Sequence, residues 1–210
     1  MKKIVKILIA AVLLVTVVSV AGLVIYNKMN PLKTEAVIAN LEWGMSSMEA
    51  KQAMAREGHL QFEFHEIGQN AVLVYDLKSY QGIEGADYRM QLYFTDDKLN
   101  TGSYIFTTSS DFGRTALPEE MLDELQLQFA KTYERGFERS ISDTINPGAK
   151  PEDPDFGRYY VGDKSLVYVA RQSSGRLEIR FEDMSAEDIQ QYVWALGVLE
   201  EEYLKNPEQD

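Results

Sequence analysis

The chain has 210 residues, 33 acidic against 21 basic side chains, 11 % aromatic residues and no cysteine. Aromatic content at that level excludes a disordered chain, which lacks the apolar surface to offset ordering entropy. The missing cysteine excludes a thioether lipid anchor, thiol chemistry and Cys-ligated metal. Four of the 21 basic residues, Lys2, Lys3, Lys6 and Lys28, are the only charges in residues 1–28. That leaves 17 basic against 33 acidic side chains in the remainder, a net charge of −16. A polyanion such as nucleic acid is repelled by that field, so no nucleic acid partner is expected; a protein or a cationic envelope component is favoured.

The N-terminal segment comes first. From Ile7 to Ile25 no residue is charged, and thirteen of the nineteen are Ile, Leu or Val. At ~0.4 kcal/mol per large aliphatic residue, roughly 5 kcal/mol favours insertion into lipid. Nineteen residues at a rise of about 1.5 Å span ~28 Å, close to the hydrocarbon thickness. Lys2, Lys3 and Lys6 precede the run, and such an excess keeps the N-terminus in the cytoplasm and sends the rest of the chain across. The membrane is thus the expected partner of residues 7–25. Two outcomes stay open. Ser19-Val20-Ala21 offers small residues for signal-peptidase cleavage after Ala21, giving a secreted product. The apolar run continues through Gly22, Leu23, Val24 and Ile25, which favours an uncleaved single-pass anchor. Residues 1–28 are read as anchor or signal peptide, 29–40 as spacer, 41–205 as one extracytoplasmic domain, and 206–210 as a tail.

The domain opens with a helix start. Ser46 can cap free amides and Glu49 completes a capping box; the helix runs through Ala55 and stops at Gly58. Leu60, Phe62 and Phe64 alternate with Gln61, Glu63 and His65, which reads as a half-buried strand. Ala71–Leu77 is a second strand after a turn at 68–70. Tyr88 to Phe94 and Leu99 to Thr107 make a hairpin about Asp96-Asp97. Residues 108–117 read as a linker. Pro118, Glu119 and Glu120 open a second helix with acids in its first turn. Its apolar face holds Leu122, Leu125, Phe129, Thr132 and Tyr133, and it ends near Gly136. Residues 139–157 read as a long surface loop. Tyr159–Val161, Leu166–Arg171 and Leu177–Phe181 are short strands, with a turn at Ser173-Ser174-Gly175. Ser185 and Asp188 cap a last helix whose apolar face carries Ile189, Tyr192, Val193, Leu196, Leu199 and Tyr203. The expected fold is α+β: antiparallel sheet with short helices on one face, the segments 41–110 and 117–205 reading as two diverged repeats.

The run Leu41-Glu42-Trp43-Gly44-Met45-Ser46-Ser47-Met48-Glu49 resembles an opening found in small extracytoplasmic domains similar to the β-lactamase inhibitory protein and the small lipoprotein of the outer-membrane assembly machinery. Leu99 to Phe106 is similar to a hairpin of the same domains. The resemblance covers about residues 40–107. It implies a binding or scaffold role at the cell surface without catalysis; the lipidation cysteine of the lipoprotein relatives is missing here. Read by their chemistry alone, Trp43, Gly44, Met45, Ser46 and Glu49 form a structural motif in which Trp43 staples the chain entry, Gly44 allows a tight turn and Met45 fills a gap.

The sequence nominates no catalytic, cofactor-binding or metal-ligating residue. His59 and His65, six residues apart, lie about 20 Å apart on an extended strand, too far to share one ion. Asp153 and Asp155 flank a loop proline, short of the six to eight oxygens calcium takes. Gly82, Gly85 and Gly102 are turn residues outside any phosphate-cradling pattern. Among Tyr75, Tyr80, Tyr88, Tyr93 and Tyr104, the pair Tyr75 and Tyr93 falls off the core parity and is the candidate interaction surface. The function expected is a non-catalytic binding or scaffold domain; the alternatives are a carboxylate-dependent enzyme acting on envelope glycans and an ectodomain regulating a membrane partner.

Overall fold

The computed structural model of the chain describes residues 35–81, 83, 85–109, 116–142, 148–153 and 155–205. The apolar run 7–25 and the tail 206–210 lie outside them; among the described residues no helix is long and apolar enough to cross a membrane. The elements are α1 (Ser47–Arg56), β1 (Glu63–Ile67), β2 (Asn70–Leu77), β3 (Tyr88–Thr95), β4 (Lys98–Thr107), α2 (Glu119–Gly136), β5 (Arg139–Ser142), β6 (Gly157–Val161), β7 (Ser165–Gln172), β8 (Arg176–Asp183) and α3 (Glu187–Lys205). The eight strands form one antiparallel sheet in the order β1-β2-β3-β4-β8-β7-β6-β5, so the fold is α+β.

Each half of the sheet is a meander, and the two meet where β4 pairs with β8. Turn chemistry fixes the hairpins. Asp96 and Asp97 both have positive φ, 51° and 54°, the left-handed pair that a two-residue hairpin turn requires. The same turn docks on α1, because an Asp97 carboxylate oxygen accepts the Ser47 amide at 2.9 Å. Ser46 caps the helix: its hydroxyl accepts the Glu49 amide at 3.3 Å, and Glu49 accepts the Ser46 amide at 2.8 Å. Ser46→Ala is therefore expected to cost about 1 kcal/mol, read as a lowered urea midpoint with an unchanged slope.

The main core lies between α1, α2 and one sheet face. Ala50 and Met54 of α1, and Leu122, Leu125, Phe129, Ala130 and Tyr133 of α2, pack over Leu73, Tyr75, Met90, Leu92, Phe94, Phe106, Val167, Val169, Ile179 and Phe181. Arg171 shares this face, nearly buried, and spends its guanidinium on Glu119, Asp123 and the Gln172 carbonyl. The segment 35–41 belongs to this core as well, so the residues read as spacer are built into the fold from Glu35 onward. Ile38 is fully buried, seated where Gly102 leaves room: a Cβ at Gly102 would stand 2.7 Å from two Ile38 methyl carbons.

Four further expectations about the elements need correction. Helices cover both faces: Val193 and Leu196 of α3 pack on Ile141, Tyr159, Val161 and Leu166, on the side opposite Tyr160, Val167 and Val169. The continuous apolar run of β7 foretells a strand buried on both faces. Residues 139–142 are strand β5, part of what the sequence presents as loop; with Ile141 its only large aliphatic residue, it carries no legible alternation. Leu60 and Phe62 are 72 % and 44 % exposed, because they precede an edge strand that α1 only partly covers; the Lys51 ammonium lies over the half-buried Phe64 ring at 3.6 Å from its centroid. On α3, Tyr192 and Leu199 are exposed although they sit on the expected apolar face, and Trp194 is exposed too. The helix begins at Glu187, after a turn in which the Asp183 carboxylate accepts the Ser185 amide at 2.9 Å.

Candidate functional site

A cleft of about 360 Å³ opens where the chain enters the fold, between segment 35–41, the end of α1 and the helix-side face of β2–β4. Its polar centre is Glu35. One carboxyl oxygen of Glu35 accepts the Ala39 amide at 2.7 Å and the Tyr104 hydroxyl at 2.7 Å. The tyrosine oxygen in turn accepts the same Ala39 amide at 2.9 Å. The other oxygen, Oε2, is shielded from water and has no hydrogen-bond partner among the described residues. Burial raises the Glu35 pKa to about 7, against the opposing pull of the Tyr104 and Ala39 hydrogen bonds. Near neutral pH this carboxyl is thus divided between its charged and neutral forms.

Three tyrosines wall the carboxyl. Tyr80, Tyr88 and Tyr104 meet edge to face, with centroids 5.3–5.4 Å apart, the geometry aromatic quadrupoles favour. Burial, and next the Glu35 charge, raise the Tyr88 hydroxyl to about 12 and push Tyr80 and Tyr104 upward too. Leu77, Met54 and Met90 supply the apolar wall, and Glu57, His59 and Gln81 the rim. The arrangement encloses one carboxyl of adjustable charge in an aromatic box beside the cleft.

The opening motif does more than enter the fold. Gly44, at φ +80°, donates its amide to the Leu99 carbonyl at 2.9 Å, and Met45 accepts the Leu99 amide at 2.8 Å. Trp43 reaches the other half of the sheet, its indole N–H donating to the Lys164 carbonyl at 2.9 Å and the Ser165 hydroxyl at 3.1 Å. Ser165 is also hydrogen-bonded to the Ala36 carbonyl. The staple expected of Trp43 therefore joins the two halves.

The two candidate surface tyrosines separate. Tyr75 is fully buried: it lies opposite Met90 in the ladder and shares parity with Leu73 and Leu77, on the helix-covered face. It presents no surface, and that expectation is corrected. Tyr93 is half-buried on the other face, its hydroxyl donating to Gln91 at 2.7 Å. Beside it runs a ladder of alternating charge on β8, Arg176, Glu178, Arg180 and Glu182, with pairs at 3.0 Å and 2.9 Å. His65 contacts Glu63 at 3.3 Å on the edge strand, whereas His59 sits on the cleft rim; among the described residues no group of three or more His, Cys, Asp or Glu is placed to hold a metal ion.

Sequence reasoning missed Glu35 because nothing local marks it. Its burial follows from Val37 and Ile38 anchoring the segment, and from Tyr104 69 residues away. Comparison of the chain with protein-family models, with curated proteins and with solved structures returned no match.

Proposed function

We propose that residues 7–25 hold this chain at the membrane, with the N-terminus in the cytoplasm and the α+β domain outside, and that the domain binds a partner and does not catalyse a reaction. The observation that carries the location is the nineteen-residue uncharged run behind Lys2, Lys3 and Lys6; cleavage after Ala21 would give the same domain in secreted form. A binding role is supported by the polar sheet face around Tyr93 with its charge ladder, and by the acidic balance of the domain, which favours a basic protein or a cationic envelope component. The resemblance of residues 40–107 to β-lactamase-inhibitory-protein-like domains belongs to the same reading. So does a tandem origin of 41–110 and 117–205, supported by the order of one helix and then four strands on each side of the β4–β8 pair.

The experiment is cross-linking in intact cells, followed by capture of the full chain under denaturing conditions. A recurrent partner of basic composition is expected. Repeated recovery of the chain alone counts against a binding role. Loss of function on deleting 7–25 points to an ectodomain that regulates a membrane neighbour. A second reading, a glycan-acting enzyme, is favoured by one observation: Glu35, with its raised pKa, shares the cleft with Glu57. It ranks lower because one Glu35 oxygen is already held by two donors and the other is closed to water.

A further inference from the structure

We propose that the outer face of α3 docks a basic amphipathic helix of a protein partner, with Trp194 as the central anchor. The sequence of the helix sets this up. From Ile189 to Leu199 eleven residues pass without a charge. A helix that lacks a charged side over such a stretch is ordinarily covered on two sides. The sheet covers one: Val193 and Leu196 pack on Ile141, Tyr159, Val161 and Leu166. Gln191, Trp194, Ala195 and Val198, spaced i, i+3, i+4 and i+7, share the opposite side. There Trp194 is 71 % and Leu199 54 % exposed, with Tyr192 beside them at 41 %. Trp and Tyr raised on a rigid element are the side chains that dominate binding energy once a partner covers them.

Charge selects the occupant. Glu187 and Asp188 precede the uncharged stretch, and Glu200, Glu201 and Glu202 follow it. Lys205, the one cation of the helix, lies 3.9 Å from Glu201. Acids in the last turns oppose the helix dipole. Glu201 and Glu202, both exposed, therefore work against the helix that carries them, and cations on a partner would offset this. A second copy of the chain is disfavoured. Pairing α3 with itself sets Glu201 and Glu202 against the same acids when parallel, or against Glu187 and Asp188 when antiparallel. An anionic lipid surface is repelled likewise. What fits is a helix with an apolar stripe about three turns long and Lys or Arg at its ends. This surface presupposes the binding role and carries it on α3 in place of the sheet face around Tyr93.

The test puts the photo-reactive residue p-benzoylphenylalanine at Gln191, at Tyr93 or at Glu66 of the full chain, one position at a time, and irradiates intact cells. Mass spectrometry then maps the cross-linked segment. A protein adduct from position 191 and none from position 66 is expected, to a segment with apolar residues at helical spacing and flanking Lys or Arg. With the photo-reactive residue kept at 191, Trp194→Ala is expected to lower the yield about tenfold. Reversing two charges, Glu201→Lys with Glu202→Lys, is expected to lower it severalfold. All these side chains are exposed, so the unfolding temperatures should hold. The proposal is overturned by an adduct to lipid, to a second copy or to an acidic segment, and equally by a yield that neither variant changes. Adducts from Tyr93 alone overturn the α3 surface and leave the binding role standing, whereas no protein adduct from any position overturns both.

Discussion

Replacing Phe181 by Ala is expected to lower the unfolding free energy by about 3–5 kcal/mol, the range for truncating a buried aromatic ring. Phe181 is fully buried at the seam of the sheet. It lies opposite Gly102 in the β4–β8 ladder, and its ring meets Tyr104 at 5.7 Å and Tyr133 at 5.9 Å. Strand β4 of the first half, strand β8 of the second and helix α2 all converge on it, so a cavity there weakens both halves together. The Trp43 hydrogen bonds to Lys164 and Ser165 couple the halves a second time. Urea unfolding followed by far-UV circular dichroism and by tryptophan fluorescence checks this. One coincident transition, shifted to lower urea in the variant, is the expected result. Two separated transitions would mean that each meander holds its structure alone. Phe181→Leu, which keeps most of the buried volume, should cost substantially less.

Glu35 gives the second large effect, and its sign runs against the usual acidic residue. A carboxyl whose pKa rises from 4.5 to about 7 on folding binds its proton more tightly in the folded state. Its contribution is full below pH 4.5 and is lost as pH rises through 7. Linkage puts that loss on the order of 3 kcal/mol. Glu35→Gln cannot ionise, so it lacks this slope, while its amide oxygen can still accept from Ala39 and Tyr104. Glu182, also shifted upward by burial, titrates alike in both proteins and cancels in the comparison. Urea midpoints of the two proteins at pH 5 and pH 8 provide the measurement: wild type should lose much more stability than the variant on going to pH 8. Equal losses would mean that the Glu35 carboxyl is solvated.

The elements that local chemistry controls were legible in the sequence. The capping box at Ser46 and Glu49, the Asp96-Asp97 turn, the alternation of Met90, Leu92 and Phe94, and the α2 face at Leu122, Leu125, Phe129 and Tyr133 all stand as read. What escaped depends on distant pairing. Strand β5 exists because β6 lies beside it and α3 above it. The burial of Tyr75 depends on which sheet face α1 and α2 cover, and parity alone cannot say which face that is. The cleft was illegible for the same reason: Glu35, Tyr80, Tyr88 and Tyr104 are brought together from four separate segments, and no spacing marks the set.

Location is open to a direct measurement because the chain has no cysteine of its own. A single cysteine at the exposed edge-strand position, Glu66→Cys, gives one reactive thiol in the domain. With residues 7–25 spanning the membrane and the lysines ahead of them left inside, a membrane-impermeant maleimide labels this thiol in intact spheroplasts, and the labelled chain sediments with the membranes. Labelling that appears only after lysis would place the domain in the cytoplasm and contradict the account.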